Sequence, residues 1–189
     1  LCADLHAVST ATGEAQGLTE ARRRLDLQLD KGRRPQLQIE VWRSPVGDIR
    51  IGATEKGVAL VEFVRPAESE SSAPRWRTDF AVEPGGEAIA TLTKKLEEYF
   101  SGKIATLDWI VDDVLMRSDF QRKVLRATAE VPYGTLVTYQ SIADTVGQPK
   151  AVRAVAQALR FNPVPIHIPC HRVIGSDGAL TGYAGNLVE

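Results

Sequence analysis

Three short runs of alternating apolar and polar residues, joined by tight turns, constrain this chain more than anything else in its 189 residues. Leu37-Gln38-Ile39-Glu40-Val41-Trp42 has the period of a half-buried strand, and Ser44-Pro45-Val46-Gly47 closes it as a turn. Asp48 to Thr54 alternates again through Ile49 and Ile51, Glu55-Lys56-Gly57 turns the chain, and Val58 to Val64 forms a third run. Tight turns between alternating runs specify an antiparallel meander. Pro66 to Pro84, rich in Glu, Ser and Pro, reads as a surface loop with a short element near Trp76 to Phe80.

Beyond the meander the period changes to that of a helix. Ile89, Leu92, Leu96 and Tyr99/Phe100 share one face between Glu87 and Phe100, with Gly102 just past the end. Ile104 to Val111 reads as a short strand, and 112 to 117 as a connector at a domain boundary. Ser118 caps a helix whose Phe120, Val124, Leu125 and Thr128 share a face. Pro132-Tyr133-Gly134 breaks it, Thr138 caps a second helix over Tyr139 to Val146, and Gly147-Gln148-Pro149 turns into a third that begins at Lys150 and ends at Arg160. Helix, short glycine turn, helix is helix-turn-helix spacing. Residues 1 to 35 read as an extension or linker, with Thr19 capping a short helix through Arg22-Arg23-Arg24 to Leu29 and Gly32 ending it.

Hydrophobic content of 43% and charged content of 25% are those of a globular protein with a real core. No apolar run approaches the roughly 20 residues that cross a bilayer, and the start lacks the basic n-region of a signal peptide. Two cysteines, Cys2 and Cys170, make no disulfide framework and no all-cysteine zinc site. We therefore expect no metal, no cofactor, no membrane, and a cytoplasmic location, or a nuclear one in a eukaryote. The formal net charge of −1 hides a gradient: Arg117 to Arg172 holds 8 Lys/Arg against 3 Asp/Glu, a net of +5. Basic charge gathered in one region suits a phosphate backbone, though by charge alone a solvated face is the better reading.

Chemistry concentrates at Pro169-Cys170-His171-Arg172-Val173-Ile174. Most of an unperturbed cysteine is thiol at neutral pH, so a reactive one needs a basic partner, and His171 is adjacent. Neighbours in sequence need not face each other, so a bridging water between them is expected. Upstream, Asn162-Pro163-Val164-Pro165 holds the chain extended. Ile166-His167-Ile168 then reads as a short buried strand that delivers Cys170. In the preceding helix Val152, Val155 and Leu159 point to the core. Lys150, Arg153, Ala154 and Gln157 occupy the other face, with alanines at 151, 154, 156 and 158. Small side chains let that face approach another helix or a nucleic-acid groove. Arg153, its central long cation, is suited to a phosphate or to the gap left by an unstacked base. Gly175-Ser176-Asp177-Gly178 is a turn, and Thr181-Gly182-Tyr183-Ala184-Gly185 a flexible loop with one aromatic.

These segments together resemble the O6-alkylguanine-DNA alkyltransferases. The likeness runs through Phe120-Gln121-Arg122-Lys123-Val124-Leu125, Val131-Pro132-Tyr133-Gly134, Thr138-Tyr139, Pro149 to Val155, Asn162-Pro163, Ile168 to Ile174 and Gly182-Tyr183-Ala184-Gly185. It implies a ribonuclease-H-like α/β domain over 36–111. It also implies a mostly α DNA-binding domain over 112–189, with a winged-helix-like helix-turn-helix that enters the minor groove. By the same resemblance Cys170 is the alkyl acceptor, His171 its base through water, and Asn162 the brace between recognition helix and thiol. Tyr139 pushes on the 3′ phosphate, and Arg153 fills the gap left by the flipped nucleotide. Ala151, Ala154, Lys150 and Gln157 meet the DNA. Tyr183, Pro165, Ile168 and Leu159 line the pocket for the flipped base. The implied partner is double-stranded DNA containing O6-alkylguanine, and possible substrates extend to O4-alkylthymine. A monomer and a single-turnover, irreversible transfer are expected.

The family pattern continues with a Lys/Arg-rich helix and a glutamate that orients the histidine. The 112–189 domain therefore reads as truncated at Glu189. Phe161 is bulky for its place before Asn162, and Asn186 stands where a second glycine is common. Three other readings compete. The first is an alkyltransferase-like protein that binds lesions without transfer, against which Cys170 speaks. The second is an adaptive-response regulator. The third is a thiol hydrolase, for which no oxyanion hole is visible.

Overall fold

The computed structural model describes residues 34–64 and 79–178. The expected helix after Thr19, residues 76–78 of the short element expected near Trp76 to Phe80, and the loop carrying Tyr183 lie outside the described residues. The meander is present as β1 (Gln36–Ser44), β2 (Gly47–Thr54) and β3 (Gly57–Phe63), paired antiparallel in register Trp42↔Ile49 and Ile51↔Val61. Ser44 shapes the first turn: its hydroxyl donates to Gly47 O at 2.5 Å and accepts from Val46 N–H at 3.1 Å. Gly57 is required at the second. Its φ is +140°, and a Cβ there would meet Ile110 O at 2.2 Å.

A fourth strand, β4 (Ala81–Pro84), pairs parallel with β1 and completes the order β3-β2-β1-β4. Sequence reasoning placed these residues in a loop. All four are exposed, so they carry no burial pattern, and backbone pairing alone makes them a strand. The expected strand over Ile104 to Val111 is not formed. Leu107 and Trp109 are buried and Ile110 is 76% exposed, so the alternation is real. Its backbone, however, only brackets one residue of β3: Val58 N–H donates to Ile110 O at 2.9 Å, and Asp112 N–H to Val58 O at 2.8 Å.

Helix α1 (Glu87–Phe100) lies on the sheet through Ile89 and Leu96, both fully buried, and ends as expected on Gly102 at φ +73°. Helices α2 (Asp119–Ala129), α3 (Tyr139–Thr145) and α4 (Val152–Arg160) come next. Ser118 and Thr138 cap α2 and α3 as expected, accepting from Gln121 N–H and Ser141 N–H. The third helix of the sequence reading starts at Val152, not Lys150. Gln148 to Ala151 first closes a turn, with Ala151 N–H on Gln148 O at 2.9 Å. One core joins Ile49, Ile51, Val58 and Val61 of the sheet to Leu96, Val124, Leu125, Ile142, Val155 and Leu159 of the helices. Full burial of each such side chain contributes about 1.5–3 kcal/mol. On the other sheet face Leu37, Ala59, Leu60 and Phe80 form a smaller cluster.

Two backbone links run from this frame to the segment carrying the thiol. Val61 N–H, on the β3 edge, donates to Pro163 O at 2.7 Å. A two-residue parallel pairing joins β5 (Val137–Thr138) to β6 (Val173–Ile174), tying the residues just before Tyr139 to those just after Cys170-His171-Arg172.

Candidate active site

Asn162 leaves the end of α4, its N–H still on Leu159 O at 3.1 Å. Its side chain organises the loop downstream. Oδ1 accepts from Val164 N–H at 3.0 Å, while Nδ2 donates to Ile168 O at 2.9 Å and to Cys170 Sγ at 3.3 Å. The loop from 162 to 170 thus closes on its own first side chain. The strand expected over Ile166-His167-Ile168 is a turn instead. Ile168 N–H reaches back to Val164 O at 3.0 Å, and Ile166 takes φ +74°, a left-handed conformation unusual for a β-branched residue. Alternation misled here because prolines 163 and 165 deny the segment a strand partner's hydrogen bonds.

Cys170 begins a single 3₁₀ turn, Cys170–Arg172, and is half-buried. Burial pushes its thiol above the ordinary value. The Asn162 hydrogen bond and the backbone N–H groups of Cys170 and His171 pull the other way. His171, also half-buried, is held below the ordinary imidazole value, first by burial and then by the charge of Arg172. It is therefore neutral at pH 7 and able to accept a proton. Among the described residues, the side-chain hydrogen bond to Sγ comes from Asn162, not from His171. Tyr139 opens α3 close enough for the thiolate charge to act on it. Burial first, then Cys170, raises its phenol, so it stays a donor at neutral pH.

On α4, Val155 and Leu159 are buried as expected and Val152 is half-buried. Lys150, Arg153, Ala154 and Gln157 are exposed and Ala151 half-exposed, all within or just before the first two turns. Of the expected pocket residues, Leu159 and Ile168 are 6% and 3% exposed and Pro165 is half-buried. Tyr183 lies outside the described residues.

Two residues around the site were not singled out from the sequence. Gln121, 3% exposed, takes the core-facing position assigned to Phe120, which is only half-buried. The signal was there: Gln121, Val124, Leu125 and Thr128 are spaced i, i+3, i+4, i+7. Arg172 donates from Nη1 to Val131 O at 3.2 Å and sits 5.1 Å from the ring centre of Tyr133, so it pins the 3₁₀ turn to the α2–α3 loop. Among the described residues no group of three or more His, Cys, Asp or Glu is placed to hold a metal ion, and no helix is long and apolar enough to cross a membrane.

The chain that holds this half-buried thiol is similar to known proteins in both sequence and fold. Residues 38–112 match the family described as 6-O-methylguanine DNA methyltransferase, ribonuclease-like domain. Residues 119–189 match the 6-O-methylguanine DNA methyltransferase, DNA binding domain. The methylated-DNA–protein-cysteine methyltransferase of Methanosarcina barkeri is 38% identical over 151 residues, 80% of this chain and 90% of the relative. The crystal structure of Mycobacterium tuberculosis O6-methylguanine methyltransferase superposes with a TM-score of 0.66 at 34% identity, over 79% of this chain and 85% of that one. The same mycobacterial protein in complex with DNA superposes at 0.64 with 31% identity, over 78% and 83% of the two chains.

Proposed function

Given that the chain belongs to the 6-O-methylguanine DNA methyltransferase family, we propose that Cys170 is the alkyl-accepting residue of its reaction and that the groups around it divide the remaining work. The family's activity is DNA repair by alkyl transfer, that of a methylated-DNA–protein-cysteine methyltransferase. Its architecture is a ribonuclease-like α/β domain with a helical DNA-binding domain after it. In this chain we divide these at 36–111 and 112–189, which the ranges of the family matches support.

The observation that carries the site assignment is the Asn162 amide, which bonds Ile168 O and Cys170 Sγ at once from the end of α4. Through it the helix offered to DNA and the thiol are one rigid unit. His171, neutral at pH 7, takes the thiol proton through water. Sγ then attacks the alkyl carbon of O6-alkylguanine. The S–C bond forms as the C–O6 bond breaks, and the electron pair leaves on the guanine, which regains a proton. A thioether has no hydrolytic return, so one molecule repairs one lesion.

The base must leave the stack to reach a half-buried thiol, at a cost of a few kcal/mol that is smallest for a poorly paired base. Arg153, exposed on α4, fills the vacated space. Ala151 and Ala154 allow close approach of the helix, and Lys150 and Gln157 meet the backbone. Tyr139, with its phenol protonated, presses on the phosphate 3′ of the target. Tyr183, Pro165, Ile168 and Leu159 enclose the flipped base. The partner is duplex DNA carrying O6-alkylguanine, and the protein acts as a monomer.

The test is an intact mass after incubation with duplex DNA containing O6-methylguanine. A gain of one methyl group on Cys170, absent in Cys170→Ala, is expected. Tight binding without a mass change would refute the assignment.

A further inference from the structure

We propose that Gln121 is a positioning residue for the transfer reaction, holding the peptide that ends α4 so that the Asn162 amide is aimed at Cys170 Sγ. The inference rests on Cys170 being the acceptor. Gln121 is buried, and both donors of its amide and one acceptor site are used. Oε1 accepts from Arg117 N–H at 2.6 Å, and Nε2 donates to Ala158 O at 3.1 Å and Phe161 O at 2.8 Å.

Those two carbonyls need an outside donor for a local reason. In a continuing helix Ala158 O would accept from Asn162 N–H. That N–H bonds Leu159 O instead, because the chain is already leaving the helix toward Pro163. Phe161 O and Asn162 N belong to one peptide plane. Gln121 holds the carbonyl side of that plane and Leu159 holds the amide side. The direction of the Asn162 Cα–Cβ bond depends on the plane, and the Asn162 side chain then reaches Sγ at 3.3 Å. Gln121 is itself anchored, since its backbone N–H is capped by Ser118 Oγ at 3.2 Å and its neighbours Val124 and Leu125 are fully buried. A continuous path of bonds therefore runs from the start of α2 to the thiol.

A residue that acts through Asn162 leaves a signature that a merely structural one does not: its effect disappears once Asn162 is gone. Gln121→Met keeps length and volume and deletes all three side-chain bonds. Two rates are measured across pH for the parent, Gln121→Met, Asn162→Ala and the double variant. One is single-turnover methyl transfer from an O6-methylguanine duplex. The other is iodoacetamide labelling of Cys170, read on its peptide by mass. Gln121→Met should slow both by about 3-fold near neutral pH and move the labelling profile to higher pH. The double variant should be no more than about 2-fold slower than Asn162→Ala. Effects that multiply, or a labelling profile that superimposes on the parent's, would overturn the proposal. Should Gln121→Met not fold, Gln121→Glu, which keeps the length and the acceptor for Arg117 N–H, carries the same cycle. A parent that gains no methyl on Cys170 refutes the acceptor assignment instead, and the labelling cycle then still decides whether Gln121 acts on the thiol.

Discussion

Replacing Asn162 by alanine separates an electronic role from a structural one. A hydrogen bond to a charged acceptor contributes about 1.5–3 kcal/mol. The contact here is 3.3 Å to sulfur, and the thiol is only half-buried, so the lower end applies. About 1.4 kcal/mol is a factor of ten in an equilibrium, so the variant should hold about 10-fold less thiolate at neutral pH. Each thiolate is then more basic and more nucleophilic. With a Brønsted slope of about 0.4–0.5, that returns about 3-fold, leaving a net loss of about 3-fold in rate. Toward alkaline pH, where both proteins become thiolate, the loss shrinks and the order of rates reverses. Asn162→Ala also leaves the fully buried Val164 N–H without its partner, at a cost of about 1–3 kcal/mol, and removes one of two donors from Ile168 O, which keeps the Cys170 N–H at 2.8 Å. The assay therefore belongs well below the variant's melting temperature. Single-turnover transfer and iodoacetamide labelling of Cys170, both across pH, give the profiles. A loss of rate that is the same at every pH would refute the electronic role and leave Asn162 as a brace alone.

Arg153→Ala should slow repair mainly on duplex substrate, because a single strand has no stack to refill. Equal losses on single-stranded O6-methylguanine DNA would count against the finger role. Gly57→Ala should lower stability by at least about 2 kcal/mol in urea unfolding, because the new Cβ meets backbone at φ +140°. A neutral result would mean that the Ile110 loop is free to move. Burial holds both His167 and His171 below the ordinary imidazole value. As pH falls through about 6.5 the unfolded chain takes up those protons first, so their contribution is full above that pH and is lost toward the lower folded values. His167→Leu should flatten the melting temperature between about pH 7.5 and 5. Asp108, lowered chiefly by its hydrogen bond with Lys95, acts only at more acid pH. An unchanged slope would exclude His167 as a source.

Much of the fold was legible because its signals are local. Alternation at 37–64 found β1 to β3, and the 3.6 period with Gly102 found α1. Ser118 and Thr138 marked the starts of α2 and α3 through the hydroxyl that each must supply. Segments whose conformation depends on a distant partner were not legible. Ala81 to Pro84 is a strand only because β1 offers an edge. Ile104 to Val111 and Ile166 to Ile168 alternate like strands yet have no edge to join along their length. β5 and β6 are two residues each, too short for any period, and they exist because α3 and the thiol turn are brought side by side.

The candidate site divides along the same line. Cys170 and His171 are adjacent in the chain, and Asn162 with its prolines marks the end of a helix, so their chemical types and order were determined by the sequence alone. Folding decided which of them touches the thiol, because a hydrogen bond depends on direction and not on spacing. The amide eight residues upstream bonds Sγ, whereas the neighbouring imidazole is tuned by burial and by Arg172. Gln121 is remote from the thiol in sequence and belongs to the site only through the packing of α2 against α4. Burial leaves its amide no water to bond, and the open carbonyls at the end of α4 take that place.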